Sequence, residues 1–189
     1  MHVAVCAVQL AYLVGGAEAA SMQGGWAAYA RRGFYQLALV AAIDLGFVLF
    51  CAVRGGRTAA EKALSLLICV LTLVILASAF WRMRLYILAY GLSLLRVMTL
   101  WAMAFILLSL VLAAVKVLRP GFKFWPWFAA LGLYGWVLFN AANVDARIAD
   151  YNVDAYLDGR LPQVDIYYLG GLSPSALPAL ERLYEAEPD

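Results

Sequence analysis

The sequence predicts an all-α fold: a polytopic helical membrane bundle with a small acidic C-terminal helical cap. Three observations carry that expectation. The 189 residues are 66% hydrophobic and 14% charged, whereas soluble domains run at about 25% charged and about 45–50% apolar. The apolar residues gather into runs of about 20, the length a helix needs to cross a hydrocarbon core of about 30 Å. Charge also divides along the chain. Residues before Val144 supply eleven basic and three acidic side chains, and those from Val144 onward supply three basic and nine acidic ones. The basic residues sit at the ends of apolar runs rather than in one patch, which argues against a nucleic-acid surface.

Every backbone polar group in hydrocarbon needs an internal partner, so the spans are expected to be helices. They fall at about 1–14, 34–53, 63–81, 97–118 and 124–143. The first, "MHVAVCAVQLAYLVGG", is short and holds Gln9. It reads as the end of a spanning helix, or as a secretory signal with "AEA" as its cleavage site, although a basic start is missing. The fifth opens on Trp125 and Trp127, residue types favoured at the membrane interface, and Pro126 suits a first helical turn. Between the third and fourth spans, residues 82–96 predict an amphipathic interfacial helix. Arg82, Tyr86, Tyr90, Ser93 and Arg96 share one face of about 120° at 100° per residue, with leucines on another. Leu85 to Leu118 as helix would measure about 51 Å, too long for the hydrocarbon core, which places Arg96 near its boundary.

Residues 144–189 form the acidic tail outside the membrane. A helix is expected from about Asp145 to Asp158, a turn at Gly159, an extended piece around Val164 to Leu169, and a last helix with Ser173 as N-cap and Pro174 in its first turn. Two tight loops, "RGGRTAAEK" and "KVLRPGFK", carry six basic residues, against seven on the other side. The rule that short basic loops stay inside nearly ties. The denser loops favour a cytoplasmic placement, leaving the tail extracytoplasmic.

Asp44 is the sharpest candidate for chemistry. It is the eleventh residue of its span, near mid-bilayer, where a charge costs about 2.5–3.5 kcal/mol and calls for a partner inside the bundle. Asn140, Gln9 and Arg96 are the available partners, so Asp44, Asn140 and Arg96 form a candidate intramembrane polar site. It reads as an inter-helix hydrogen bond or as an ion or proton relay. Arg82, Tyr86, Tyr90 and Ser93 form a candidate interfacial face. No cofactor or metal is expected. The only histidine is His2, Cys6, Cys51 and Cys69 lie in or beside apolar runs, and no CxxC occurs, so a zinc or haem ligand set is not supplied. "DYNVDAYLDGRL" mimics a calcium loop, but Ala155 and Leu161 stand where such a loop needs glycine and a bidentate glutamate.

Four strings, "QLAYLVGG" (9–16), "YARRGFYQLALVAAID" (29–44), "RLYILAYGLSLLR" (84–96) and "NVDARIADYNVDAYLDGRLPQVDIYYLGGLSPSALPAL" (143–180), resemble a family of bacterial multi-pass membrane proteins known only as a domain of unknown function. The likeness covers most of the chain. It implies further spans upstream, so that this chain would be the C-terminal part of a longer protein. It also implies Asn rather than Asp at position 44, and brings no activity, cofactor or substrate. The expected role is a structural or interaction component of the bacterial cell envelope rather than an enzyme, with the lipid bilayer and a membrane-protein partner or second copy as neighbours. The alternative is a transporter or channel subunit using Asp44 and the Tyr86/Tyr90/Arg96 face.

Overall fold

The structure is a computed structural model and describes residues 39–50 and 58–186. The expected first span, Cys6, Cys51 and Gln9 lie outside the described residues, as do the two ends of the second span. What is described is helical, without a strand. Helix α1 (Leu39–Phe50) is short and apolar. Helices α2 (Ala59–Tyr90) and α3 (Leu94–Leu118) are each long and apolar enough to cross a membrane. Helix α4 (Phe124–Ala141) meets that test together with α5 (Val144–Leu157), which leaves it at a bend of 57°. A short helix α6 (Ile166–Gly170), a 3₁₀ turn (Pro174–Ala176) and helix α7 (Leu177–Ala186) complete the cap.

Helix α2 starts on a capping box. Thr58 Oγ1 accepts from Glu61 N and Glu61 Oε2 accepts from Thr58 N, each at 3.3 Å, so two amides of the open first turn gain partners. The helix then runs 32 residues and turns back as α3 after only Gly91, Leu92 and Ser93. The two pack antiparallel. Near the turn, Ile75, Leu76, Ala79, Met83 and Ile87 enclose Met103. At the far end, Cys69 meets Leu110, Ala113 and Val117, with Leu45 and Val48 of α1 in the same cluster.

Polarity is arranged as hydrocarbon demands. Ser65, Thr72, Ser78 and Ser109 are buried between helices, while Leu64, Leu67, Val70, Leu107 and Val111 point outward. Small polar residues let helices approach closely in lipid, and an apolar exterior of this extent marks a membrane surface. Helix α4 packs on α3 through rings. Trp101 stacks on Phe105 at 5.7 Å and meets Phe139 edge-on at 5.9 Å. Its indole Nε1–H donates to Gly135 O at 3.1 Å.

The cap begins where Asn143 takes a left-handed conformation, φ 48°, which asparagine tolerates better than most residues. That residue redirects the chain between α4 and α5. Ile148, Ala149 and Val153 of α5 pack with Leu169, Ala176, Ala179 and Leu183, and Leu92 and Val97 of the membrane hairpin close the same core. A unit of this size has little core of its own; the hairpin supplies part of it.

Two expectations are corrected. Residues 82–96 are not one helix: α2 continues unbroken through Tyr90, Gly91 stops it, and α3 restarts at Leu94. Ser93 and Arg96 therefore do not continue the face of Arg82, Tyr86 and Tyr90. The extended piece expected at Val164–Leu169 is largely α6, because Asp165 Oδ1 accepts from Tyr168 N at 2.8 Å and starts a helical turn.

Candidate functional site

The break between α2 and α3 gathers the largest set of long-range polar contacts among the described residues. Ending one helix and starting another leaves carbonyls and amides open, and those covered by the packing of other elements need partners within the protein. Gly91 N–H still bonds back to Ile87 O at 2.8 Å. At φ 74°, ψ −170° its backbone lies in a region essentially confined to glycine. A Cβ there would collide with the Asn152 side chain and crowd Leu161.

Asn152, two turns into α5 and buried, lies against Leu92 as a strand would. Its Oδ1 accepts from Leu92 N at 2.6 Å and its Nδ2 donates to Leu92 O at 2.8 Å. Only one amide orientation satisfies both. Leu94 N–H donates to Tyr168 Oη at 2.9 Å, so α6 also reaches the break. Arg96 turns back from α3, and its Nη1 donates to Tyr90 O at 2.8 Å and to Gly91 O. Its guanidinium lies 4.3 Å over the Tyr86 ring, a cation–π distance, and Tyr86 and Tyr90 are themselves 5.3 Å apart. Beside these bonds is a cavity of about 220 Å³ lined by Tyr90, Ser93, Arg96, Asn152, Gln163 and Tyr168, among others.

The three residues of the expected intramembrane site have different partners. Asp44 is buried at 4% exposure and its Oδ2 accepts from Thr72 Oγ1 at 3.0 Å. The same hydroxyl is 2.8 Å from Ile68 O, so its single hydrogen faces two acceptors. Arg96 serves the helix break, and Thr72 lies about 27 Å along α2 from Tyr90. Asn140 is exposed and donates to Trp136 O in its own helix at 2.7 Å. Of the interfacial face, Tyr86, Tyr90 and Arg96 do meet, Arg82 is half-buried two turns before Tyr90, and Ser93 precedes α3 as its N-cap without a side-chain capping bond.

The calcium-like string is helix through Leu157. Arg182 bonds Asp150 at 2.7 Å and Asp154 at 2.8 Å, and Arg160 bonds Asp158 at 2.7 Å. Among the described residues no group of three or more His, Cys, Asp or Glu could hold a metal.

Asn152 and Tyr168 did not stand out in the sequence as site residues. A signal for Asn152 was present, since it falls three and four residues after Ala149 and Ile148 on the buried stripe of α5. A polar residue on such a stripe needs a partner. Tyr168 carries no comparable signal. The third and fourth strings of the family resemblance touch at this junction, Gly91, Leu92 and Arg96 from one and Asn152, Leu161 and Tyr168 from the other.

A family model described as "Domain of unknown function (DUF4153)" matches residues 1–183. No curated protein and no solved structure matches the chain.

Proposed function

The chain belongs to the DUF4153 family, and on that premise we propose that it is a multi-pass protein of the bacterial cytoplasmic membrane with a structural or interaction role in the cell envelope. Its acidic cap presents the interaction surface. One observation carries this reading: the polar groups at the α2–α3 break are taken up largely by the chain's own cap. Asn152 covers both polar groups of Leu92 and Tyr168 covers Leu94 N–H, while Arg96 of α3 covers the carbonyls of Tyr90 and Gly91. Groups committed to holding a cap are not free to turn over a substrate. The basic residues Lys62, Lys116, Arg119 and Lys123 lie at the end of the α2–α3 hairpin away from the cap, which supports a cytoplasmic placement for that end and an extracytoplasmic cap.

A second reading, a transporter or channel subunit, is favoured by Asp44. It is buried against Thr72, and Ser109 of α3 is buried with no hydrogen-bond partner for its Oγ among the described residues. Arg96 does not fit that pathway, being held at the break.

Asp44→Asn separates the two. An Asn amide can donate to Thr72 Oγ1 while Thr72 donates to Ile68 O, so the structural role is expected to survive. If a proton- or ion-coupled flux through vesicles containing the protein is lost in Asp44→Asn while the variant inserts and folds as before, the structural reading fails. Orientation is read with Tyr167→Cys, since Tyr167 is 95% exposed. A membrane-impermeant thiol reagent should label it from outside the cell.

A further inference from the structure

Between α3 and α4 lies a groove of about 590 Å³. Trp101, Phe105, Leu108, Leu131 and Phe139 line it, and Arg147 stands at its cap end. Trp101 and Phe105 pack against α4 beside Gly135 and Gly132, and Ala104 also lines the groove. It follows α3 from Val97 to Leu108, about 16 Å at 1.5 Å per residue. Leu108 and Leu138, both exposed, leave its flank open to the surrounding hydrocarbon.

The mouth differs from the floor. Arg147 is in the first turn of α5, just past the 57° bend between α4 and α5, and is exposed. Its guanidinium makes no hydrogen bond, ion pair or ring contact among the described residues. Asp150, the acidic residue one turn along the same helix, is bound by Arg182 at 2.7 Å rather than by Arg147. An apolar slot as long as half a bilayer, ending at the boundary in an uncommitted cation, is complementary to a molecule with a long apolar chain and an anionic head.

We propose that this groove binds one acyl chain of an anionic phospholipid, with the lipid phosphate held by Arg147. The inference rests on the membrane reading above. Basic residues beside spanning helices recognise anionic headgroups, each contributing about 1 kcal/mol, or roughly fivefold in occupancy.

Trp101 reports on the groove. The protein is reconstituted in phosphatidylcholine vesicles containing either phosphatidylglycerol or phosphatidylcholine with brominated acyl chains. Quenching of Trp101 is taken as the difference between the wild type and Trp101→Phe. Brominated phosphatidylglycerol should occupy the site about fivefold more readily. Arg147→Gln, which disturbs no bond of the described fold, should bring the two lipids level. Ala104→Phe, which fills the groove, should reduce quenching by both. Equal quenching in the wild type, or a preference unchanged in Arg147→Gln, overturns the headgroup assignment. Quenching unchanged by Ala104→Phe, or absent with both lipids in an inserted protein, overturns the chain's seat and points to another helix or a second copy in the groove. If the protein does not enter the vesicles, the membrane reading and the inference fall together; equal quenching in an inserted protein removes the inference alone.

Discussion

The two connections of α3 solve one problem in opposite ways. After α3, the chain turns at Arg119–Lys123, and Lys116 closes it from within: its Nζ donates to Pro120 O at 2.7 Å and to Phe122 O at 2.9 Å. Donor and acceptors lie four and six residues apart. Before α3, the break at Gly91–Ser93 is closed mainly by Asn152 and Tyr168, 60 and 74 residues away, with Arg96 helping locally. The first connection is a turn that carries its own closure. The second is a joint, because it is satisfied only when the cap is in place. The cap in turn uses Leu92 and Val97 to complete its core. Membrane hairpin and cap therefore share both a hydrogen-bond set and an apolar cluster at one point.

The contrast can be broken most sharply at Gly91. Gly91→Ala places a Cβ against Asn152 in a backbone region that only glycine enters readily, and should destabilise the purified protein by about 3 kcal/mol, measured by denaturant unfolding in mixed micelles. Asn152→Ala leaves both polar groups of Leu92 without a partner and should cost about 2–3 kcal/mol. It should also expose the cap to limited proteolysis while the spans stay protected. The double variant should cost less than the sum, since removing the Asn152 side chain removes the obstacle that the methyl group added at position 91 would meet; strict additivity would break the claim that the two act at one joint. Tyr168→Phe removes a single bond to Leu94 N–H and should cost about 1 kcal/mol in the same titration. Lys116→Met at the other connection should change stability by about 0.5 kcal/mol, because both carbonyls lie near water that can replace the ammonium. A loss at Lys116 as large as that at Asn152 would erase the distinction.

Much of this could be read along the chain. Runs of apolar residues long enough for the bilayer predict helices, and among the described residues α2 and α3 include 63–81 and 97–118 while α4 covers 124–141 of the expected 124–143. The start of α5 and the turn at Gly159, φ 70°, follow from local composition. The capping box of Thr58 and Glu61 that starts α2 went unread although its Thr-x-x-Glu spacing marks it, and the Pro120-Gly121 turn needs no information beyond its neighbours. Residues 82–96 misled because helical projection assumes an unbroken helix. The periodicity that joins Tyr86 and Tyr90 to Ser93 and Arg96 loses its meaning once Gly91 breaks the rise. For Asp44 the sequence offered Asn140, Gln9 and Arg96 as partners; Thr72 of α2, which bonds it, is one of many hydroxyls in the apolar helices and carries no mark.

By itself, the sequence determined which segments can live in hydrocarbon, where charge is tolerated, and the all-α class, since each depends on a residue and its near neighbours. Only the tertiary structure decided that Asn152 and Tyr168 close the break at Gly91, that Arg96 faces back to Tyr86 rather than toward Asp44, and that Arg147 stands at the mouth of a groove. Those are relations between segments up to 74 residues apart, and they are fixed by which buried or boundary polar groups can find partners once the helices have packed.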